Sequence, residues 1–219
     1  MHSSESSLSQ ESKSRLRRRM RRCRRDLSAS NRRLAARAIV RHVLHEGLVW
    51  RAQRFGLFVP HGAEIDVLPL INRLLAMGKS VYLPVLPRGL CQKRLWFTRL
   101  ETDTRWVGNR FGIPEIAAGQ GVRARDLDVL CVPLLAYDSH GHRLGMGGGF
   151  FDATLAFLRQ RRHWRRPFLL GVAYACQRYD ERLPCDPWDM ALDAVLTEKG
   201  VEHFPNFRRF RRADRLASR

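Results

Sequence analysis

The chain has 219 residues, of which 44% are hydrophobic, and its 40 lysines and arginines outnumber its 21 acidic residues to give a net charge of +19. This length suits one well-buried domain, and the apolar share excludes a chain that is disordered throughout. No apolar run approaches the about 20 residues that a membrane-spanning helix needs, so we expect no membrane partner.

The two ends of the chain carry much of the positive charge. Residues 1–12 are mostly Ser, Glu and Gln, and we expect them to form a disordered N-terminal segment. Basic residues then dominate KSRLRRRMRRCRR, residues 13–25, and they return in a basic C-terminal tail over residues 205–219. We expect both basic arms to lie outside the apolar core. Such charge favours polyanionic partners, from nucleic acids to phosphate-bearing small molecules.

The N-terminal sequence and the cysteines indicate the cellular compartment. The first thirty residues lack the apolar segment of a secretory signal, which predicts a cytoplasmic protein. A mitochondrial transit peptide is the alternative, although Glu5 and Glu11 stand where such peptides avoid acids. No C-x-x-C pair occurs, so we expect reduced thiols, with Cys131 and Cys176 as inert thiols in apolar strands; the five cysteines are Cys23, Cys91, Cys131, Cys176 and Cys185.

Helix-like and strand-like segments alternate along the chain. Two helices are predicted first, one beginning near Lys13 and one ending at Gly47. Further helices are predicted at VLPLINRLLAMGK and from about Asp152 to Arg162, and short apolar segments are predicted as strands: RFGLFVP, SVYLPVL, RLWFTRL, LDVLCVPLLAY, FLLGVAY and DAVLTE. This order predicts an α/β fold, a mainly parallel sheet with helices on both faces in a Rossmann-like three-layer arrangement.

The stretch RLGMGGGFFD, residues 143–152, places four glycines in five positions. Glycine leaves the backbone N–H groups uncovered, so an anion can reach them, and a helix starting near Phe150 would add its own free N–H groups. Arg143 offers paired donors for phosphate oxygens, whereas Asp152 would repel phosphate unless Mg²⁺ lay between them. Together, the glycine amides, Arg143 and Asp152 with a bound Mg²⁺ predict a phosphoryl-transfer site. The alternative is a glycine-rich turn with Asp152 as a helix cap, and the spacing matches neither a Walker loop nor G-x-G-x-x-G.

With its flanks, the segment VPLLAYDSHGHRLGMGGGFFDATL resembles the signature of the 5-formyltetrahydrofolate cyclo-ligase family, also called methenyltetrahydrofolate synthetases. The similarity runs from about Lys13 to Glu198 and includes KSRLR, AEID, GKSVYLPV, GIPEI and LPCDPWDMALDAVLTE. It implies one catalytic domain over residues 13–204, on a fold shared with sugar-phosphate isomerases and CoA-transferase-like proteins. It also implies that ATP and Mg²⁺ drive conversion of 5-formyltetrahydrofolate to 5,10-methenyltetrahydrofolate, ADP and phosphate, through an imidate phosphate.

The same resemblance assigns functional residues to positions of this chain. The implied metal ligands are Asp152 and Asp189. The implied catalytic residues are Arg143, Gly147, Gly148 and Phe151. The implied ATP-binding residues are Lys13, Arg17, Arg143, Leu144, Gly145, Met146, Gly147, Gly148, Gly149, Phe150 and Phe151. The implied folate-binding residues are Glu64, Met146, Gly147, Gly148, Gly149 and Phe150, and Phe58, on the strand before Glu64, is expected to line the pterin slot.

This chain departs from the family pattern at a few of these positions. Phe150 and Phe151 stand where many relatives have tyrosine, and Met146 stands where an aromatic residue or arginine is common. These departures affect the folate contacts more than the phosphate site. Without the resemblance, Asp189 would be interpreted as an ordinary turn residue, and Asp66 is expected to cap the helix that follows it.

Other functions stay open on the sequence alone. One is a nucleic-acid-binding protein that grips phosphates with residues 13–25 and 207–219, and another is a sugar-phosphate isomerase or acyl-transfer enzyme on the same fold. His140 and His142 are spaced for one metal, but without a nearby cysteine or third histidine we interpret them as solvated loop residues. We expect a monomer whose partners are ATP and a reduced folate.

Overall fold

The structure of the protein is a computed structural model that describes residues 12–87, 89, 92–117, 121–160, 166–186 and 188–204. The predicted disordered segment, apart from Ser12, and the basic tail lie outside the described residues, as does Cys91. None of the described helices is both long and apolar enough to cross a bilayer.

Helices occupy the N-terminal third and strands dominate the rest of the described chain. The helices are α1 Lys13–Arg25, α2 Ala29–His45, α3 Leu48–Arg51, α4 Leu68–Ala76 and α5 Phe150–Leu155. The strands are β1 Arg54–Gly56, β2 Ser80–Val85, β3 Trp96–Arg99, β4 Trp106–Gly108, β5 Pro114–Ile116, β6 Val129–Pro133, β7 Ala136–Tyr137, β8 Arg143–Leu144, β9 Phe168–Val172, β10 Ala194–Thr197 and β11 Gly200–His203. Turns of 3-10 helix cover Ala124–Asp126, Ala156–Gln160 and Ala175–Gln177.

A seven-stranded sheet in the order β11-β10-β9-β6-β1-β2-β3 forms the centre of the described protein. The pairings between β10, β9, β6, β1 and β2 are parallel, and only the edge strands β11 and β3 pair antiparallel. Strands β9 and β10 are buried at every position. Continuous burial is typical of parallel strands that are covered on both faces, so the predicted α/β fold is confirmed.

Alternate residues of the central strands belong to two separate cores, one on each face of the sheet. On β6, Val129 and Cys131 pack with residues of α2, α3 and α4. Leu130 and Val132 point to the opposite face, where they belong to one cluster with Leu155 of α5. Three layers result, as the sequence predicts.

Helix α1 begins at Lys13 as predicted, but it is not a free basic arm. Leu16 and Met20 are buried in a third cluster with Leu135 and Leu144, at the carboxyl side of β6. The expectation that residues 13–25 lie outside the apolar core is therefore wrong. The apolar positions of this helix find partners that lie more than a hundred residues further along the chain, which the local run of arginines does not reveal.

Three further expectations differ from the structure. The helix predicted from Asp152 begins at Phe150 and ends at Leu155, and a 3-10 turn continues it to residue 160, while residues 161–165 are not described. Strands β4 and β5 form a hairpin in a stretch for which the sequence predicts no strand, since β4 is exposed at all three positions and shows no apolar alternation. Asp66 is not the N-cap of α4, which is Val67, although its carboxylate accepts a 2.9 Å hydrogen bond from the N–H of Leu68, the first residue of the helix.

Two of the cysteines lie next to each other in the structure. Cys23 of α1 and Cys176 come together across 153 positions of sequence, with their Cα atoms 6.6 Å apart, and no local spacing pointed to this contact. Cys176 lies in the 3-10 turn Ala175–Gln177 and not in an apolar strand. Cys131 does lie buried in β6, where burial raises the pKa of its thiol to about 12, as expected of an inert core thiol.

Candidate active site

The glycine loop, residues 145–149, follows the small β7–β8 hairpin that extends from the carboxyl end of β6. Gly147 and Gly149 have φ angles of 103° and 71°, which residues with a Cβ rarely adopt. Gly149 is also the N-cap of α5. The loop therefore depends on glycine for its backbone path and carries its amides to the edge where parallel strands commonly bind ligands.

Arg17 of α1 reaches across to this loop. Its Nε donates a 3.0 Å hydrogen bond to the carbonyl oxygen of Gly145. A Cβ built on Gly147 would lie 3.7 Å from the Arg17 guanidinium carbon, so the guanidinium lies directly against the bare backbone. The buried residues Leu16 and Met20 fix the helix that presents this side chain. A cation and exposed glycine backbone thus meet at one place.

Arg143 is held between a carboxylate and a backbone carbonyl. Its guanidinium forms an ion pair with Asp152 of α5 and donates a second hydrogen bond to the carbonyl oxygen of Met190. The side chain is only 4% exposed. Burial lowers the pKa of Arg143, and the charges of Asp152 and Asp189 oppose that effect. Two of its donors are therefore used within the protein, so Arg143 anchors the loop to α5 and to the segment around Met190.

Lys13 lies at the same end of α1 and faces two aspartates. Its Nζ is 2.5 Å from an Asp186 carboxylate oxygen and 3.8 Å from one of Asp189. The carboxylate of Asp189 also accepts a 2.8 Å hydrogen bond from Asp186 N–H, which fixes its orientation. These ion pairs connect α1 to the segment that contains Asp186 and Asp189, which is part of the resemblance to the family.

The donor set around Arg143 suits a small divalent cation. Asp152 and Asp189 both lie near enough to Arg143 for their charges to act on its guanidinium. Carboxylate oxygens are the ligands that Mg²⁺ prefers, usually one or two of them alongside substrate phosphates and water. Their protein partners, Arg143 and Lys13, neutralise these charges in the present structure. Both aspartates therefore fit the ligand role that the family resemblance implies for them.

A cleft of about 510 Å³ opens beside the glycine loop. One wall is the loop with Phe150 and Phe151, and the facing wall includes Phe58 and Glu64 beyond the carboxyl end of β1. Met146 is 45% exposed at the rim. Most of the other lining side chains are apolar: Val59, Pro84, Leu86, Leu95, Phe111, Ile113, Pro114 and Pro133. An apolar slot with a few polar groups is typical of a site for a flat heterocycle.

Glu64 is the acidic group on the wall opposite the glycine loop. Its side chain is 12% exposed, and it lies 3.8 Å from the guanidinium of Arg24. One carboxylate oxygen accepts a 3.1 Å hydrogen bond from His61 N–H. Burial raises the pKa of Glu64, while the His61 N–H and the Arg24 charge act to lower it. The carboxylate is thus partly withdrawn from water at the edge of the apolar slot.

Several residues of this region were not selected from the sequence. Lys93 lies beside the loop, where a Cβ built on Gly149 would approach its Nζ to 3.7 Å. Phe111, from the turn between β4 and β5, packs edge-on against Phe150 with ring centroids 5.9 Å apart. Arg110 lies over the same Phe150 ring at 5.6 Å. No local motif marks these residues, because the fold alone brings them to the loop.

The two loop histidines lie close to a buried aspartate. Potential ligand atoms of Asp138, His140 and His142 all fall within 4.8 Å of one another. Both Asp138 oxygens are already used, one by the N–H groups of His140 and His142 and the other by the His142 ring and Leu183 N–H. The carboxylate therefore ties the loop together from within the protein.

Comparison with known proteins identifies relatives of this chain. A model of the 5-formyltetrahydrofolate cyclo-ligase family matches residues 9–198. The chain is 35% identical over 181 residues to the 5-formyltetrahydrofolate cyclo-ligase of Haemophilus influenzae, covering 81% of this chain and 92% of that protein. It is 39% identical over 153 residues to the enzyme of the same name from Escherichia coli, covering 68% and 80% of the two chains.

A solved structure agrees with these relatives. The 5,10-methenyltetrahydrofolate synthetase of Aquifex aeolicus superposes with a TM-score of 0.71 at 30% identity. The match covers 90% of this chain and 94% of the other. Sequence and fold similarity therefore extend over the same large part of the protein.

Proposed function

This chain belongs to the 5-formyltetrahydrofolate cyclo-ligase family, and we propose that it cyclises 5-formyltetrahydrofolate to 5,10-methenyltetrahydrofolate with consumption of ATP in the presence of Mg²⁺. The formyl oxygen attacks the γ-phosphorus of ATP, which releases ADP and gives an imidate phosphate. N10 of the folate then adds to the activated carbon, and phosphate leaves with the former formyl oxygen. Phosphorylation turns a poor leaving group into a good one, which is why the ring closure needs ATP.

The observation that carries this proposal is the meeting of Arg17 with the glycine loop next to the apolar cleft. We assign the triphosphate to the loop amides, where Arg17 and Lys13 supply positive charge. We assign the folate to the cleft, with its ring between Phe58 and the loop aromatics Phe150 and Phe151. The two substrates then adjoin along the loop, as transfer of a γ-phosphoryl group to an amide oxygen requires.

In this arrangement the residues act mainly by position and charge. Arg17 balances the charge that develops on the transferred phosphoryl group, which is the main demand of phosphoryl transfer. Arg143 holds Asp152 at the start of α5 and keeps the loop in place through Met190. Gly147 and Gly148 allow the backbone to approach the phosphates, and Phe151 helps to exclude water that would hydrolyse the imidate phosphate.

Asp152 and Asp189 are the residues that would hold Mg²⁺. Asp152 forms an ion pair with Arg143, the charge of Asp189 also acts on Arg143, and Lys13 lies 3.8 Å from Asp189. Magnesium, when bound, supplies charge neutralisation for the terminal phosphates of ATP.

A direct assay tests the proposed function. Purified protein is mixed with 5-formyltetrahydrofolate and MgATP, and the near-ultraviolet absorbance of the methenyl product is followed. We expect a rise that requires both ATP and Mg²⁺, with one ADP formed for each product molecule. No rise with both substrates present would refute the function, and a rise without ATP would favour a different chemistry on the same fold.

A further inference from the structure

Arg24 is a buried cation that the proposed mechanism does not use. It lies near the end of α1, on the same helix as Lys13 and Arg17, and is 4% exposed. Its Nε is fully buried and has no hydrogen-bond partner among the described residues. Withdrawing a guanidinium from water is unfavourable unless a nearby charge compensates for the loss of hydration. Its position therefore calls for a specific partner.

Glu64 is the acidic group in ion-pair range of Arg24 in the described structure, with 3.8 Å between Arg24 Nη1 and Glu64 Oε1. The pair joins α1 to the loop after β1 across 40 positions of sequence. The side chains are 5% and 12% exposed, so water screens their attraction only weakly. Glu64 lines the cleft but Arg24 does not, so Arg24 can influence a ligand there only through the carboxylate.

Besides Arg24, His61 acts on the Glu64 carboxylate, since its backbone N–H and the charge of its ring both lower the Glu64 pKa. His61, from the same loop, donates its backbone N–H to the second carboxylate oxygen at 3.1 Å. Tyr174, from the segment after β9, donates its hydroxyl to the Glu64 backbone carbonyl and not to the carboxylate. Arg32 of α2 bonds the carbonyl oxygens of Arg24 and its neighbours and so fixes the end of α1. Arg24 is therefore the cationic side chain within 4 Å of the carboxylate in the described structure.

We propose that Arg24 is a positioning residue that keeps the Glu64 carboxylate ionised and directed into the cleft, so that it accepts hydrogen bonds from N–H groups of the reduced pterin ring. This inference rests on the proposed function, because it assigns the pterin to the Glu64 side of the cleft. Burial raises the pKa of Glu64, and the Arg24 charge opposes that effect. Loss of Arg24 therefore raises the Glu64 pKa further, and a protonated carboxyl accepts such hydrogen bonds poorly.

The test uses Arg24→Met with Arg25→Met as a matched control, because Arg25 is the exposed neighbour on the same helix. At neutral pH we expect Arg24→Met to raise the KM for 5-formyltetrahydrofolate by about tenfold. The KM for ATP should stay within about twofold of the unmodified protein. The increase in the folate KM should become smaller as the pH rises, because the Glu64 carboxyl then ionises even without the Arg24 charge. Arg25→Met should leave both constants and the pH profile unchanged.

Two additional variants separate positioning from a merely structural role. Arg24→Gln keeps a shorter, polar side chain but no charge, and it should show the same pH shift if Arg24→Met does not fold. In a Glu64→Gln protein, which has no carboxyl to titrate, adding Arg24→Gln should change the folate KM by less than about twofold.

The outcomes that would contradict the role of Arg24 differ from those that would contradict the proposed function. The role of Arg24 would be overturned by equal increases in the KM values for folate and ATP. It would also be overturned by an unshifted pH profile in folded Arg24→Gln, or by full additivity of the Arg24→Gln and Glu64→Gln effects. Absence of methenyl formation by the unmodified protein would instead refute the proposed function, so the two failures are distinguishable.

Discussion

Arg17 and Gly145 are 128 positions apart in the sequence, and a 3.0 Å hydrogen bond from the arginine Nε to the glycine carbonyl joins them. This contact brings the basic N-terminal helix onto the glycine loop. It explains why a helix so rich in arginine packs on the protein body and is not only a solvated surface element. The guanidinium carbon and Nη2 of Arg17 lie beside Gly147, where the proposed triphosphate would bind.

Replacing Arg17 with alanine should weaken ATP binding selectively. A charge-assisted contact to phosphate contributes about 1.5 to 3 kcal/mol, so we expect the KM for ATP to rise by about 10- to 100-fold. The KM for 5-formyltetrahydrofolate should change by less than about threefold. Arg18→Ala removes an exposed arginine from the same turn and should have little effect. Steady-state kinetics with each substrate varied in turn measures both effects, and equal losses for Arg17→Ala and Arg18→Ala would count against the assignment.

Two glycine substitutions separate backbone conformation from side-chain crowding. Gly147 has a φ of 103°, and a Cβ there would make only ordinary contact with Arg17 at 3.7 Å. Gly147→Ala should therefore act through backbone strain, at a cost of about 1 to 3 kcal/mol, and lower kcat/KM for ATP by about tenfold or more. A Cβ on Gly145 meets no described atom within 4 Å, so Gly145→Ala should stay within about twofold. If both variants lost activity equally, the conformational explanation would be wrong.

Asp152→Asn tests the metal assignment. The change removes one negative charge from the pair with Arg143 and weakens a hard oxygen ligand. We expect the Mg²⁺ concentration for half-maximal rate to rise by about tenfold, and Asp189→Asn should act in the same direction. Asp103→Asn, at an exposed turn, is the control. Rates measured across a magnesium titration give the answer, and an unchanged magnesium requirement in either site variant would remove that residue from the metal site.

Asp138→Ala should destabilise the fold more than a surface substitution does. The carboxylate is fully buried and accepts hydrogen bonds from the His142 ring and from backbone N–H groups, including that of Leu183. Its loss leaves these donors without a partner, and we expect the free energy of unfolding to fall by about 3 kcal/mol. Ser139→Ala, at the exposed neighbour, should change it by less than about 0.5 kcal/mol. Urea unfolding at neutral pH measures both variants.

The Asp138 carboxylate should also make part of the free energy of unfolding depend on pH in the acid range. Burial acts to raise the pKa of Asp138, but the hydrogen bonds from Leu183, His142 and His140 outweigh it, so the pKa lies below its usual value. The stabilisation is therefore complete above the unfolded carboxyl pKa of about 4 and is lost as the pH falls through the lower folded value. The difference in unfolding free energy between the unmodified protein and Asp138→Ala should narrow below about pH 4. A constant difference across that range would contradict this account.

The central sheet could be predicted from the sequence because its strands are buried on both faces. Strands such as β9 and β10 are continuous apolar segments, which are typical of parallel strands covered on both faces. The β4–β5 hairpin could not be predicted this way, since β4 is exposed at every position and is held by pairing alone.

The candidate site, like the fold, could be predicted from the sequence only in part. The resemblance to the cyclo-ligase family is confirmed. The loop from Arg143 to Asp152 could be proposed as a site from its own residues, because that segment is continuous in sequence. Lys93 and Arg24 could not be predicted as site residues, because each meets its partner only in the folded chain. Arg24 in particular is hidden among arginines that are mostly exposed, and only its burial distinguishes it.

Transfer of the formyl oxygen is the most direct test of the account. 5-Formyltetrahydrofolate that carries ¹⁸O in its formyl group is converted in the presence of MgATP, and the released phosphate is analysed by mass spectrometry. If the formyl oxygen attacks the γ-phosphorus at the glycine loop, one labelled oxygen appears in each phosphate molecule. Unlabelled phosphate with the label in water would contradict the account, because the formyl oxygen would then have left without being phosphorylated.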